Sequence, residues 1–128
     1  MPWGVARVTR RWAARWQAVV ALKGAFTAIA EPGSIGAGSG NADWAAEGLV
    51  RLAPFANPGL ASGGTGDVLT GIIGGLLAQG LDPFTAASCG VYLHGWAAQG
   101  LTERRGQAGL LASDVVEALP EAVRQLGG

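Results

Sequence analysis

The stretch Ala56-Asn57-Pro58-Gly59-Leu60-Ala61-Ser62-Gly63-Gly64-Thr65-Gly66-Asp67 sets the tightest limit on what this chain can fold into. Its small residues leave the main chain bare, and a helical pattern follows at once. Val68, Leu69, Ile72, Ile73, Leu76 and Leu77 recur as adjacent pairs every four residues, which makes one apolar face. Glycines before a helix let the backbone turn sharply and aim several N–H groups one way. The helix start adds unsatisfied N–H groups and a partial positive charge. Such a tip is a cradle for a phosphate or a developing oxyanion. Asp67 falls in the first turn, where the dipole suits a carboxylate. A carboxylate beside an anion cradle can orient a substrate, or accept its proton, while the amides hold a phosphate. A simple turn would account for any one of these residues. Few structural needs call for so many small residues before one acid.

Two common phosphate motifs are excluded. A Walker A loop needs Gly-Lys-Ser/Thr, and no lysine follows these glycines. A dinucleotide fingerprint needs a third glycine, but Gly64-Thr65-Gly66 is followed by Asp67-Val68-Leu69. The set Gly36, Gly38 and Gly40 reads as loop within Gly33 to Gly48.

Around this segment the chain reads as helix, two or three strands, then three or four helices, which is part of an α/β layer structure. Val8 to Gln17 is predicted as a short amphipathic helix, with Trp12 and Trp16 on one face. Ala18 to Leu22 fits a strand buried on both faces, and Phe26 to Ala30 a second strand, forming a hairpin closed by Glu31-Pro32-Gly33. Leu49 to Ala53 is a third candidate. Gly71, Gly74 and Gly75 predict close packing of the following helix, with Gly80 as its stop. Asp82-Pro83 predicts a cap and first position for a helix to about Gln99. Ser113-Asp114 is expected to cap a last helical stretch, and Pro120 to divide it in two.

Composition narrows the function classes. Lysine plus arginine number 9 and aspartate plus glutamate number 9, which argues against nucleic acid or an anionic membrane as main partner. Hydrophobic residues make up 49%, so the chain is not disordered. Glycine, 22 of 128 residues, is well above the average of roughly 7%. One cysteine and one histidine exclude a disulfide framework and a Cys- or His-rich metal cluster. The longest apolar stretch, Val68 to Leu81, is cut by four glycines and Gln79 and is too short to span a bilayer. Arginines interrupt the first sixteen residues, so no signal-peptide core is visible. A soluble cytoplasmic protein with Cys89 as a free thiol is the expectation.

Three blocks resemble the ADP/ATP-dependent NAD(P)H-hydrate dehydratase family of the ribokinase-like superfamily. They are Val19-Val20-Ala21-Leu22-Lys23-Gly24-Ala25-Phe26-Thr27, Asn57 through Gly71, and Ala87 to Ala98 with Tyr92-Leu93-His94-Gly95. The resemblance covers most of residues 10–126 and corresponds to the C-terminal half of a member, so residues 1–128 are read as one partial ribokinase-like α/β domain. It implies that hydrated NADH or NADPH loses water, driven by hydrolysis of ADP or ATP. It further implies that Lys23, Gly24, Ala25, Phe26 and Thr27 contact the nucleotide. Asn57, Pro58, Gly59, Leu60, Ala61, Ser62, Gly63, Gly64, Thr65 and Gly66 would line its phosphate and ribose side. Asp67 would contact the hydrated nicotinamide and act as base. In kinase relatives the same acid activates a hydroxyl toward phosphoryl transfer. A hydroxyl phosphorylated in this way leaves as phosphate, a better leaving group than hydroxide. Mg²⁺ is expected as charge compensation for the phosphates, though no ligand set is visible. A small-molecule kinase, or a non-catalytic nucleotide-binding fragment, are the alternatives. Missing strands would leave an apolar parallel-sheet edge open, which predicts a homo-oligomer or association with an absent N-terminal half.

The remaining candidates take structural readings. His94 is expected to be a packed, hydrogen-bonded histidine and Cys89 a small buried residue. Trp12 and Trp16 are expected to pack, and Arg104-Arg105 to lie in a solvated loop.

Overall fold

The computed structural model describes residues 2–33 and 48–127, so the glycine set at 36, 38 and 40 lies outside the described residues. The elements run α1 (Pro2–Trp16), β1 (Val20–Leu22), β2 (Ala28–Ala30), β3 (Val50–Leu52), a 3-10 turn (Pro58–Ala61), α2 (Thr65–Ala78), α3 (Pro83–Arg105) and α4 (Ala112–Gln125). The described order matches the one expected from the sequence. Two compact units result, Met1–Ala53 and Pro54–Gly128.

In the first unit three short strands form an antiparallel sheet in the order β1-β2-β3. Val20 pairs with Ala30 and Leu22 with Ala28, while Ala28 pairs with Leu52 and Ala30 with Val50. The predicted hairpin is present, but the parallel edge is not. Five residues separate β1 from β2, too few for the crossover that parallel strands require. Burial on both faces belongs to β2, whose Ala28, Ile29 and Ala30 are all buried, and not to β1, which is mostly exposed. Strand β2 is central in the sheet and is the strand α1 packs on most, whereas β1 lies at an edge. Helix α1 packs on all three strands. Thr9 and Ala13 are buried, and small alanines on α1 and β2 let helix and sheet approach. Trp12 and Trp16 pack on each other at 4.7 Å between centroids, with the Arg15 guanidinium 5.4 Å from the Trp12 ring.

The second unit is helical. Helix α3 packs against both α2 and α4. Its core holds Ala97, Leu101, Leu110, Val115, Ala118 and Ala122, with Val68, Leu93 and Leu119 packed against them. The close approach between α2 and α3 occurs at Gly90, not at the glycines of α2. A Cβ on Gly90 would fall 2.6 Å from Ile73 Cγ1, whereas Gly71, Gly74 and Gly75 face open space. Helix periodicity explains the correction: these three glycines lie off the face that carries Leu69 and Ile73.

The local signals at the α2–α3 junction hold. Gly80 has φ 97°, its N–H donates to Leu77 C=O at 3.0 Å, and Leu81 N–H reaches Leu76 C=O at 3.4 Å, a Schellman closure. Asp82 accepts from Thr85 N–H at 3.0 Å, with Pro83 at the first helical position. Helix α3 runs on to Arg105, beyond the expected Gln99, because buried Leu101 continues its core face. Arg104 and Arg105 are therefore in the last helical turn rather than a loop, and Arg105 pairs with Asp114 at 3.2 Å. Helix α4 starts two residues earlier than expected. Leu111 is its cap position, and its N–H donates to Asp114 at 2.9 Å. Pro120 does not divide α4. It lies on the exposed side, so the hydrogen bond it forfeits faces water while Val115, Ala118 and Ala122 hold the other side in the core. Cys89 is exposed, a further correction, and lies on the α3 face turned away from Ala87 and Gly90. His94 is buried as expected.

Candidate functional site: the glycine turn before α2

The turn between Asn57 and Asp67 is built by its own side chains. Asn57 Oδ1 accepts from Gly59 N–H at 2.9 Å, which caps the 3-10 turn. Its Nδ2 donates to Thr102 Oγ1 at 2.9 Å. Pro58 needs no N–H partner at that first position. Gly59 is buried, and an added Cβ would lie 3.0 Å from both Asn57 Oδ1 and Leu110 Cδ2. Leu60 packs toward the helical core while Ala61 is exposed. Ser62 Oγ donates to Leu110 C=O at 2.7 Å. Thr65 is 1% exposed, and its hydroxyl lies 2.6 Å from Leu60 C=O and 2.9 Å from Ser62 C=O. Asn57, Ser62 and Thr65 thus spend their polar groups on closing the turn and tying it to Thr102 and Leu110.

What remains outward is main chain. Gly63, Gly64, Gly66 and Asp67 are all exposed, and their N–H groups meet no acceptor among the described residues. Gly64 has φ 85°, a left-handed conformation that glycine adopts without strain, and this brings the chain into the first turn of α2. An added Cβ at Gly63 or Gly66 would meet nothing within 4 Å. The tip is therefore open, and its N–H groups sit at the positive end of a 14-residue helix. Asp67 lies in that first turn, and no donor among the described residues engages its carboxylate. One acid beside a row of unoccupied N–H donors can bind an anion and take a proton from a neighbouring hydroxyl.

In the first unit, Lys23 to Thr27 form the β1–β2 connection. Thr27 is buried, and its hydroxyl stands 3.3 Å from Gly24 N and 3.4 Å from Gly24 O, closing the turn. Lys23, Gly24, Ala25 and Phe26 are exposed, Phe26 by 43%. No group of three His, Cys, Asp or Glu side chains comes together among the described residues. The described residues therefore do not form a cage for Mg²⁺.

Sequence reasoning missed Thr102, Leu110 and Ala112. Thr102 and Leu110 bond the turn from 45 and 48 positions away, and the Ala112 Cβ lies 3.2 Å from where a Gly64 Cβ would be. No local pattern marks such residues; only their fold does.

Residues 4–121 match the family described as NAD(P)H-hydrate dehydratase. The bifunctional NAD(P)H-hydrate repair enzyme Nnr of Moorella thermoacetica is 44% identical over 93% of this chain and 20% of its own length. The ADP-dependent (S)-NAD(P)H-hydrate dehydratase of Bacillus subtilis is 39% identical over 90% of this chain and 37% of its own. The structure of Bacillus subtilis YxkO, a member of the UPF0031 family, superposes with a TM-score of 0.78 at 37% identity, covering 94% of this chain and 40% of that one. The chain thus spans about a fifth to two fifths of the length of these relatives. The likeness bears out a partial, ribokinase-like α/β fold.

Proposed function

Because this chain belongs to the NAD(P)H-hydrate dehydratase family, we propose that it carries the nucleotide-holding and proton-accepting part of an enzyme that dehydrates hydrated NADH or NADPH. The observation that carries this reading is the row of exposed N–H groups at Gly63, Gly64, Gly66 and Asp67, unengaged among the described residues, beside a carboxylate that no described donor holds. The relatives named for ADP dependence support ADP as co-substrate; ATP is the wider form of the proposal, with Mg²⁺ only as counter-ion to the phosphates. The amides of the turn grip phosphoryl oxygens. Asp67 takes the proton of the substrate hydroxyl as that oxygen attacks the terminal phosphorus. The phosphorylated oxygen then departs as inorganic phosphate, restoring the nicotinamide C=C bond as a neighbouring C–H loses its proton. Atoms and charge balance as hydrate plus ADP giving NAD(P)H, AMP, phosphate and one proton released to water.

Lys23 to Thr27 are proposed as nucleotide contacts in their own unit, through the exposed main chain and side chains of residues 23–26, with Thr27 fixing the turn. Asn57 through Ser62 are proposed to shape the phosphate side. We read residues 1–128 as one partial domain because the family match crosses both units, and the reaction as cytoplasmic. No helix among the described residues is long and apolar enough to cross a membrane. Sheet edges at β1 and β3, each paired only with β2 among the described residues, support self-association or union with the rest of the fold.

The test is incubation of the chain with hydrated NADH and ADP or ATP. Recovery of the NADH absorbance band, with release of phosphate, is the expected result. Asp67→Asn should lower that turnover at least a hundredfold, the scale of a lost general base, while ADP affinity stays within about threefold. A phosphorylated product with no recovered NADH would replace the dehydratase by a kinase. ADP binding without any turnover would leave only a nucleotide-binding fragment.

A further inference from the structure

The geometry points to Thr102 as a positioning residue for the glycine turn, an inference that rests on reading that turn as a nucleotide cradle. Thr102 sits in the last turn of α3, where its hydroxyl donates to Ala98 C=O at 2.9 Å. That bond commits the single hydroxyl proton to the helix and leaves a lone pair for an incoming donor. Asn57 Nδ2 fills it at 2.9 Å. The amide can then present only its oxygen to Gly59 N–H, which it meets at 2.9 Å. A flipped amide would set its NH₂ against the Gly59 N–H and its oxygen against a hydroxyl whose proton is already used, so one orientation is enforced at both ends.

The chain of bonds runs from the backbone of α3 through Thr102 and Asn57 to Gly59, four residues before Gly63. At the far end, Ser62 is tied to Leu110 C=O and Gly64 rests against Ala112. The turn is therefore held at both ends by α3 and the segment that follows it. Among these links the Thr102 tie alone joins two side chains, so it can be removed from either partner. Losing it frees Asn57 to rotate, and with it the direction in which Gly63, Gly64 and Gly66 aim their N–H groups. Those donors act on a phosphate only when they converge.

The experiment compares the isotope-labelled chain with Thr102→Val, Thr102→Ser and Asn57→Asp, reading ADP affinity and the amide resonances of Gly59, Gly63, Gly64 and Gly66. Thr102→Val keeps the shape and removes the hydroxyl. It should displace those four resonances and weaken ADP about tenfold, the scale of one lost hydrogen bond. Thr102→Ser should restore both. Asn57→Asp keeps the acceptor for Gly59 and removes the donor to Thr102, but its charge repels ADP on its own account, so only its glycine resonances are read; they should move as in the valine variant, and they decide the matter if Thr102→Val does not fold. Unchanged resonances and affinity in Thr102→Val, or no rescue by Thr102→Ser, would overturn the assignment. If the parent chain binds no ADP, the proposed function fails instead. The glycine resonances then decide alone: displacement by valine and return with serine supports Thr102, and no displacement refutes it.

Discussion

Glycine carries opposite meanings at different residues of this chain. At Gly90 the missing Cβ is a packing requirement, because Ile73 Cγ1 already occupies its place at 2.6 Å. Gly90→Ala should therefore lower stability by about 1–3 kcal/mol through overpacking. At Gly71 the Cβ would enter open space on an exposed helical position. Gly71→Ala should raise stability by about 1 kcal/mol through helix propensity. Denaturant titration of both variants checks the pair, and a Gly90→Ala protein as stable as its parent would refute the packing. Asp82 gives a second residue-scale prediction. The Thr85 hydroxyl and N–H beside it hold its carboxyl below the usual aspartate range. A folded-state pKa below the unfolded value adds stability that is present above the unfolded pKa and lost as pH falls through the folded one. Asp82→Asn should remove that part of the acid limb, so thermal melts of variant and parent should converge as pH drops below the ordinary aspartate range. The contribution is small because the group is fully exposed. These local devices were legible in the sequence: an aspartate before a proline, and a glycine after a helical run, each act within four residues. The pairing of Gly90 with Ile73, and of Asn57 with Thr102, were not, because nothing near either residue records its distant partner.

Elements tell the same lesson at longer reach. The hairpin and third strand could be anticipated from short apolar runs broken by turn residues. Which strand is the buried one could not, since that depends on which strand lies at the centre of the sheet and under α1. Helix α4 shows how packing overrides a local breaker. Pro120 lies inside it, yet the helix continues from Ala112 to Gln125 because its core side is held by Val115, Ala118 and Ala122. The exposed proline still forfeits a bond to the preceding turn. Pro120→Ala should therefore stabilise the chain by about 2 kcal/mol, the helix-interior cost of proline less its effect on the unfolded chain. Calorimetry would show a raised Tm. A lowered one would mean that the proline ring itself is needed in the packing. For the candidate site the sequence displayed the glycines and the acid, and the helix start that organises them. It did not display that Asn57, Ser62 and Thr65 turn their polar groups inward, so that the main chain is what faces outward.

At the level of the whole molecule, the even charge balance hides a division. Residues 1–53 hold six basic and three acidic residues, and residues 54–128 hold three basic and six acidic. The sheet edges at β1 and β3 carry Leu22 and Leu52, 39% and 38% exposed. Light scattering in the presence of reductant should show a mass that rises above 12.9 kDa with concentration. Leu22→Lys with Leu52→Lys should return it to that value. Persistence of the larger mass in roughly 1 M salt, where the Debye length is about 3 Å, separates edge pairing from attraction between the oppositely charged units. The exposed Cys89 adds one more consequence. As the chain holds a single thiol and that thiol faces water, a maleimide dye attaches at one defined point on α3. The same uniqueness means that any disulfide formed between protein thiols must link two copies, visible as a doubled band on a gel run without reductant.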